Sequence, residues 1–276
     1  MKRYHVFSCL LAALAFTPLI TACGTKESKQ GEGSMQNEAE SFLPEIEEPA
    51  VETPALPALP SAPSEEEATA VQYLCTTADG LNLRAGAGTQ YASLGKAEKN
   101  ILVKYAGKAG EWYETRYRGK TAYVHAGYAK IVELDKGTKK AEAVIEEGLK
   151  LLGTPYVYGA TRFHDGKGNK LTGFTTEKFD CSSLMQYIFY KGAGVLLDTT
   201  TRTQILQGKA VDKIERGDLL FFTNASRRNK TGIERVGHVA LYLGGNYILH
   251  TASDYAKIEQ ISSTRWSYFI SARRML

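Results

Sequence analysis

The stretch FDCSSLMQYIFY at residues 179–190 decides the fold of the C-terminal half of this 276-residue chain. Asp180 precedes Cys181, and apolar residues then recur at helical spacing, which predicts a helix that begins at the cysteine. The first turn of a helix stabilises an anion through the helix dipole and unpaired backbone N–H groups. Cys181 is therefore a candidate nucleophile.

Two histidines follow in segments that predict adjacent strands, residues 236–243 and 247–252. A three-residue loop of Gly244, Gly245 and Asn246 would place His250 opposite Ala240, and so diagonal to His238 on one face of the hairpin. We expect that loop, because glycine readily takes the left-handed position it requires. A two-residue loop would put the histidines on opposite faces.

Each of these residues alone has a simpler explanation. A lone cysteine is commonly a small buried side chain, and a strand histidine is commonly a core or surface group. Together, Cys181, His238 and His250 supply a nucleophile, a base and an orienting group, and this combination favours catalysis. One thiol and two histidines lack the close-spaced ligand pair of a zinc site, so we expect no metal and no cofactor.

The segment 141–276 resembles the NlpC-type cell-wall peptidases, which are compact papain-like cysteine peptidases. The matching pieces, in order, are GTPYVYGA at 153–160, FDCSSL at 179–184, TTTRTQ at 199–204, RGDLLFF at 216–222, GHVALYLGG at 237–245 and YILHTA at 247–252. The resemblance implies an α+β papain-like peptidase domain. It also implies that Cys181 is the nucleophile, His238 the base and His250 the residue that orients the base.

The same resemblance implies three substrate-binding residues. The Tyr156 hydroxyl would lie beside the thiol, and Asp180 and Ser182 would contact the free amine of a bound peptide. Simpler roles stay open, because Asp180 is placed to cap the helix, Ser182 is an ordinary first-turn residue and Tyr156 is a packed aromatic.

The activity implied is hydrolysis of peptidoglycan stem peptides at the bond between γ-D-glutamate and a diamino acid, through a thioacyl intermediate on Cys181. Intact peptidoglycan and released stem peptides are both open as substrates. Two alternatives remain. One is an N-acetylmuramoyl-L-alanine amidase or thiol acyltransferase with the same nucleophile, and the other is a non-catalytic cell-wall-binding lipoprotein.

Two connections are long and polar. Residues 161–178 include the turn-forming run from His164 to Asn169, and we expect a surface loop in which His164 is solvated. Residues 223–235 carry Arg227, Arg228, Lys230 and Arg235. This second loop either frames an anionic substrate or is simply solvated.

The N-terminus predicts export. Residues 1–22 read as a signal peptide, with Lys2 and Arg3 before an apolar run. LITAC at 19–23 resembles a bacterial lipobox, which implies lipid attachment to Cys23 and an extracytoplasmic protein anchored to a membrane. Residues 23–70 predict a disordered tether, since positions 24–70 hold 11 glutamates, 2 lysines and 6 of the chain's 8 prolines.

The remainder of the chain is basic. The whole chain has a net charge of +4. Lys2 and Arg3 of the predicted signal peptide contribute +2 and the tether contributes −9, so residues 71–276 carry +11. A basic exported protein suits an anionic cell-wall polymer, and no nucleic-acid recognition motif is present, so we expect no nucleic-acid partner. We expect a monomer.

Residues 71–134 contain short alternating segments separated by glycine-rich turns, which predict a small all-β SH3-like barrel. The segment resembles bacterial SH3-type domains at Leu81, Asn82, Leu83, Arg84, Gly86, Gly95, Trp112, Tyr113, Gly119, Tyr123 and Val124. Cys75 in this segment is expected to be a buried strand residue that leaves Cys181 as a free thiol.

Overall fold

The structure is a computed structural model that describes residues 69–276. The predicted signal peptide (1–22), the lipidation of Cys23 and all but the end of the tether (23–70) lie outside the described residues. Within 69–276, no helix is both long enough and apolar enough to cross a membrane.

The first part of the described chain is all β. Its strands are β1 (Ala70–Thr76), β2 (Leu81–Arg84), β3 (Ser93–Ala97), β4 (Ile101–Lys104), β5 (Gly107–Ala109), β6 (Trp112–Tyr117), β7 (Lys120–His125) and β8 (Ala129–Asp135). Tyr73, Leu83 and Val124 are fully buried in its core. Cys75 is buried in β1 with a free thiol, as predicted.

The second part mixes helices and strands. Its elements are α1 (Lys139–Leu149), α2 (Cys181–Ala193), α3 (Thr201–Gln204), β9 (Lys209–Val211), β10 (Leu219–Phe222), β11 (His238–Gly244), β12 (Tyr247–Ala252), β13 (Tyr255–Gln260), α4 (Ser263–Ser267) and β14 (Phe269–Arg274). The predicted small all-β unit and α+β unit are therefore both present. The buried face of α2, with Leu184, Met185 and Ile188, packs on α1 and the sheet.

One sheet runs through both parts. Its nine strands lie in the order β8-β1-β4-β13-β12-β11-β10-β14-β9, and the remaining five strands form a second sheet in the order β3-β2-β7-β6-β5. The junction is the antiparallel pair β4 and β13, where Leu102 lies opposite Ile258. The all-β part thus continues the sheet of the α+β part, which the sequence did not predict.

The hairpin of β11 and β12 differs from the predicted three-residue loop. Gly244 pairs with Tyr247, so only Gly245 and Asn246 form the turn, with φ of 55° and 67°. Positive φ at both positions is typical of a two-residue type I′ turn. The prediction of loop length was wrong, but a bulge at Leu243 supplies the extra residue, and the register Leu241 with Leu249 continues to place Ala240 opposite His250.

The loop of residues 161–178 is exposed over most of its second half, as expected of a surface loop, but its start is packed against α2. His164 is fully buried, which contradicts the expectation of a solvated side chain. The Gln186 side chain on α2 accepts hydrogen bonds from the backbone N–H of Phe163 and donates one to the carbonyl of His164. Phe163 packs against Tyr187 and Tyr190 of the same helix, with ring centroids 5.4 and 5.0 Å apart. Aromatic burial therefore fixes the start of this loop on α2.

Candidate active site

Cys181 is the first residue of α2, and its position is fixed by a reciprocal cap. Asp180 Oδ1 accepts the backbone N–H of Ser183 at 2.9 Å, and Ser183 Oγ accepts the backbone N–H of Asp180 at 2.9 Å. These two bonds satisfy donors that a helix start otherwise leaves unpaired. The interpretation of Asp180 as a helix cap is confirmed.

Cys181 is buried, with 8% of the residue exposed. Burial raises its pKa to about 12, with the neighbouring Asp180 carboxylate acting in the same direction. The backbone N–H groups of Val239 and Ser182 point at the sulfur and oppose that rise. The free site therefore holds a protonated thiol, with donors already in place for the thiolate.

His238 opens β11 and His250 lies on β12, and the two rings meet as the hairpin analysis predicted. His238 Nε2 is 2.9 Å from His250 Nδ1. Burial lowers the pKa of both imidazoles, and it lowers that of His238 to well below its usual value. Both rings are consequently neutral near pH 7.

Glu259, on β13, extends this row of side chains and was missed by sequence reasoning. Its Oε1 lies 3.1 Å from His250 Nε2, and the contact is an ion pair only when that imidazole is protonated. Burial would raise the Glu259 pKa, but His250, Arg265 and Lys257 outweigh it and lower the pKa to about 2. Glu259 is thus a fixed carboxylate behind the two histidines.

Tyr156 is held beside the start of α2 by backbone pairing. It forms a parallel bridge with Phe179, and the N–H of Val157 donates to the Phe179 carbonyl at 2.9 Å. Burial raises the Tyr156 pKa to about 12, helped by the nearby Cys181 and Asp180. The phenol therefore remains a hydrogen-bond donor at neutral pH.

The groove extends to both sides of Cys181 as two cavities of about 350 and 400 Å³. The two share Tyr156, Cys181, Asn224 and Gly237 in their walls. The larger, open groove between β1 and α1, about 930 Å³, is lined by no cysteine or histidine. The groove over Cys181 is therefore the place where a substrate would meet the thiol.

His238 and Arg265 belong to one side of this groove, which we call the histidine side. Asp180 and Ser182 belong to the other side, which we call the arginine side because Arg162, Arg202 and Arg227 also line it. The predicted site residues therefore share one groove, except that His250 lies behind His238.

The basic loop of residues 223–235 contributes only part of its charge to the groove. Arg227 lines the arginine side and pairs with Glu234 at 3.2 Å, whereas Arg228, Lys230 and Arg235 are exposed. Both open interpretations therefore apply, because one arginine frames the groove and the other cations are solvated. Arg162 was not singled out from the sequence, since its loop was expected to be solvated.

Residues 153–275 match the NlpC/P60 family, and residues 79–130 match the bacterial SH3 domain. The chain is 33% identical over 148 residues to a gamma-D-glutamyl-L-lysine dipeptidyl-peptidase of Bacillus subtilis, covering 53% of this chain and 43% of that protein. It is 31% identical over 157 residues to a gamma-DL-glutamyl hydrolase of the same organism, covering 55% and 33%.

A crystal structure of an NlpC/P60 family protein from Bacillus cereus is 23% identical to this chain, with a TM-score of 0.40 over 75% of this chain and 64% of that one. The chain spans less than half of the length of the two curated relatives named above.

Proposed function

Because residues 153–275 are an NlpC/P60 domain and residues 79–130 are a bacterial SH3 domain, we propose that this protein is a cysteine endopeptidase of bacterial peptidoglycan. Its substrate is the stem peptide, cut between γ-D-glutamate and the diamino acid. The observation that carries the proposal is that Cys181 and His238 line one groove, with His250 and then Glu259 lined up behind His238. The names of both curated relatives, which specify γ-glutamyl bonds, support the choice of bond.

The row of side chains sets the protonation of the base. The carboxylate of Glu259 favours a proton on His250 Nε2, which leaves His250 Nδ1 as an acceptor. His238 Nε2 then carries the proton that it donates to His250 across 2.9 Å. The lone pair of His238 is thereby placed on Nδ1, the ring nitrogen left to take the proton of the Cys181 thiol.

The chemistry follows in two steps. In the first, Cys181 Sγ attacks the γ-carbonyl carbon of D-glutamate while its proton passes to His238. His238 returns that proton to the leaving amine as the C–N bond breaks, and a thioester remains on Cys181. In the second, a water molecule gives a proton to His238, attacks the thioester and releases the γ-carboxylate with the thiol restored.

Tyr156 and the start of α2 serve the developing oxyanion. The Tyr156 hydroxyl and the backbone N–H of Cys181 are the donors for this role, because these two residues line both cavities. Asp180 and Ser182 act as substrate-binding residues through the wall that they form on the arginine side.

The site of action is extracytoplasmic. The LITAC string at 19–23 supports processing after residue 22 and a lipid on Cys23, which anchors the protein to a bacterial membrane. The proposed units are a tether at 23–70, a bacterial SH3-type domain at 71–134 and a peptidase domain at 141–276. The +11 charge of residues 71–276 favours contact with the anionic wall.

Mass spectrometry of digested muropeptides tests the proposal. The expected products end in γ-D-glutamate and begin with a free diamino acid, and the Cys181→Ala protein should give none. Release of whole stem peptides from muramic acid would instead indicate the amidase, and transfer of the acyl group to an added amine the acyltransferase. Binding of wall material without any cleavage would leave the non-catalytic lipoprotein.

A further inference from the structure

The carboxylate of Asp180 is already bound by the protein itself. Arg162 Nη1 donates to Oδ2 at 2.8 Å, and the backbone N–H of Gly159 donates to the same oxygen at 3.1 Å. On Oδ1, the Ser183 backbone N–H and the Ser182 hydroxyl donate at 2.9 and 3.1 Å. A carboxylate offers about four lone pairs. All of them are used, and Asp180 is 4% exposed.

Arg162 leaves a donor, not an acceptor, on this side of the groove. A guanidinium has five N–H groups. Four are directed at the protein: one from Nε to the Thr199 carbonyl, two from Nη1 to the Ala160 carbonyl and Asp180, and one from Nη2 to the Ser182 hydroxyl. The fifth, on Nη2, remains for a ligand in the cavity that Arg162 lines.

The position of Arg162 is set by its loop. The next residue, Phe163, packs between Phe174 and Tyr190 with ring centroids 5.0 Å from each, and its N–H is bound by Gln186 at 3.0 Å. These contacts fix the backbone from which the Arg162 side chain reaches Asp180. The long connection of residues 161–178 therefore places the Arg162 guanidinium against the Asp180 carboxylate, next to Cys181.

A substrate ammonium has two costs at such a site. It would meet a guanidinium of the same charge, it would find no free lone pair on Asp180, and it would find only one on the Ser182 hydroxyl, which already accepts from Arg162. A carbonyl oxygen has neither cost, because it can accept the remaining N–H of Arg162. Arg202 and Arg227 add further positive charge to the same wall.

We infer that Arg162 selects stem peptides whose first amine is acylated, with the acyl carbonyl oxygen bound to Arg162. The inference rests on the proposed function and specifies its substrate: a stem peptide still joined to the glycan through its first amine, in place of a released peptide with a free N-terminus. It replaces the expectation that Asp180 and Ser182 bind a free amine.

Binding to the full-length Cys181→Ala protein tests this inference apart from catalysis. Calorimetric titrations would use alanyl-γ-D-glutamyl-lysine and its diaminopimelate counterpart, each with a free and with an acetylated N-terminus. The acetylated peptides should bind more tightly, by on the order of tenfold. Equal or tighter binding of the free amines, or no binding of either form, would overturn the inference. This measurement requires no change at Arg162.

A second variant assigns the preference to Arg162. In the Cys181→Ala background, Arg162→Gln should remove the preference or reverse it, because the like charge is gone and Asp180 Oδ2 regains a lone pair. Arg228→Gln removes the same charge from an exposed position outside the groove and should keep the preference. An unchanged preference in Arg162→Gln would contradict the inference. If wild-type protein cleaves neither peptide while the preference persists, the proposed function fails and this inference stands.

Discussion

Ile101 of β4 lies opposite Glu259 of β13, so a strand of the bacterial SH3 domain is paired with the strand that carries the last carboxylate of the site. An ion pair between Lys257 and Glu98, 3.1 Å apart, ties the same two regions together. The segment that matches the SH3 domain is therefore part of the support of the site, because its strand β4 covers the edge of β13, the strand on which Glu259 lies.

The thiol and its base should both be indispensable. We expect Cys181→Ala and His238→Ala to lower turnover by on the order of a thousandfold or more, because each removes the route to a thiolate. His250→Ala should cost less, since His250 acts through His238. Release of γ-D-glutamyl products is measured by liquid chromatography, with thermal unfolding expected to stay near that of wild type.

Cys75→Ala is the matched control for the thiol. Cys75 is also a buried free cysteine, but it lies in β1, away from the groove. Its removal should leave turnover intact. Product formation by Cys181→Ala above the level of a heat-killed sample would exclude Cys181 as the nucleophile.

Glu259 should act as a positioning residue. Glu259→Gln should lower kcat by about 10 to 100-fold, because a neutral amide neither fixes the His250 tautomer nor stabilises the imidazolium formed at His238. Glu98→Gln serves as the control, since Glu98 also pairs with Lys257 but does not contact His250. Its kcat should stay within about twofold of wild type, as for most surface changes. Equal losses in the two variants would indicate a general effect of the ion-pair network.

The pH dependence follows from the lowered pKa of His238. Above that pKa the ring is neutral and can accept the thiol proton, and below it the ring is protonated and cannot. Burial lowers the pKa well below 6.5, so kcat/KM should stay level as the pH falls through 6.5 and decrease only in more acidic solution. The profile is measured with enzyme shown to recover full activity at pH 7. A decrease centred at or above pH 6.5 would contradict the assignment.

The pH dependence of kcat/KM also distinguishes a positioning role of Glu259 from a role in folding alone. The Glu259 carboxylate raises the His238 pKa, against the larger effect of burial. Its neutralisation in Glu259→Gln should therefore move the acid decrease to still lower pH. A variant that has lost activity only through misfolding would keep the wild-type midpoint.

The sequence predicted the parts of the site that depend on local pattern. Asp180, Cys181 and the apolar spacing after them predicted a capped helix that begins at the nucleophile. The alternation along two strands predicted that His238 and His250 meet, although the loop length was wrong, because a bulge and a two-residue turn give the same relation of faces as a three-residue loop.

The residues that were missed depend on tertiary contacts. Glu259 follows a second hairpin whose turn, Ser253 and Asp254, contains no glycine although Ser253 has φ of 55°. Had that turn been recognised, the pairing of His250 with Lys257 would have placed Glu259 diagonal to His250. Arg162 carried no such signal, because its contact with Asp180 depends on how Phe163 packs against α2.

The contact between the two domains at Gly153 gives a last prediction. Gly153 has φ of +85°, and a Cβ there would lie 2.3 Å from the Tyr117 ring of β6. Gly173 has nearly the same backbone, φ of +80°, but a Cβ there would meet nothing within 4 Å. Gly173→Ala should lower the free energy of unfolding by about 1 kcal/mol, because alanine is strained in the left-handed conformation. Gly153→Ala should lower the free energy of unfolding by roughly 1 to 3 kcal/mol more, because the added methyl group overpacks against Tyr117. Urea unfolding of both variants measures the difference, and equal losses would show that the Tyr117 ring moves aside for the added methyl group.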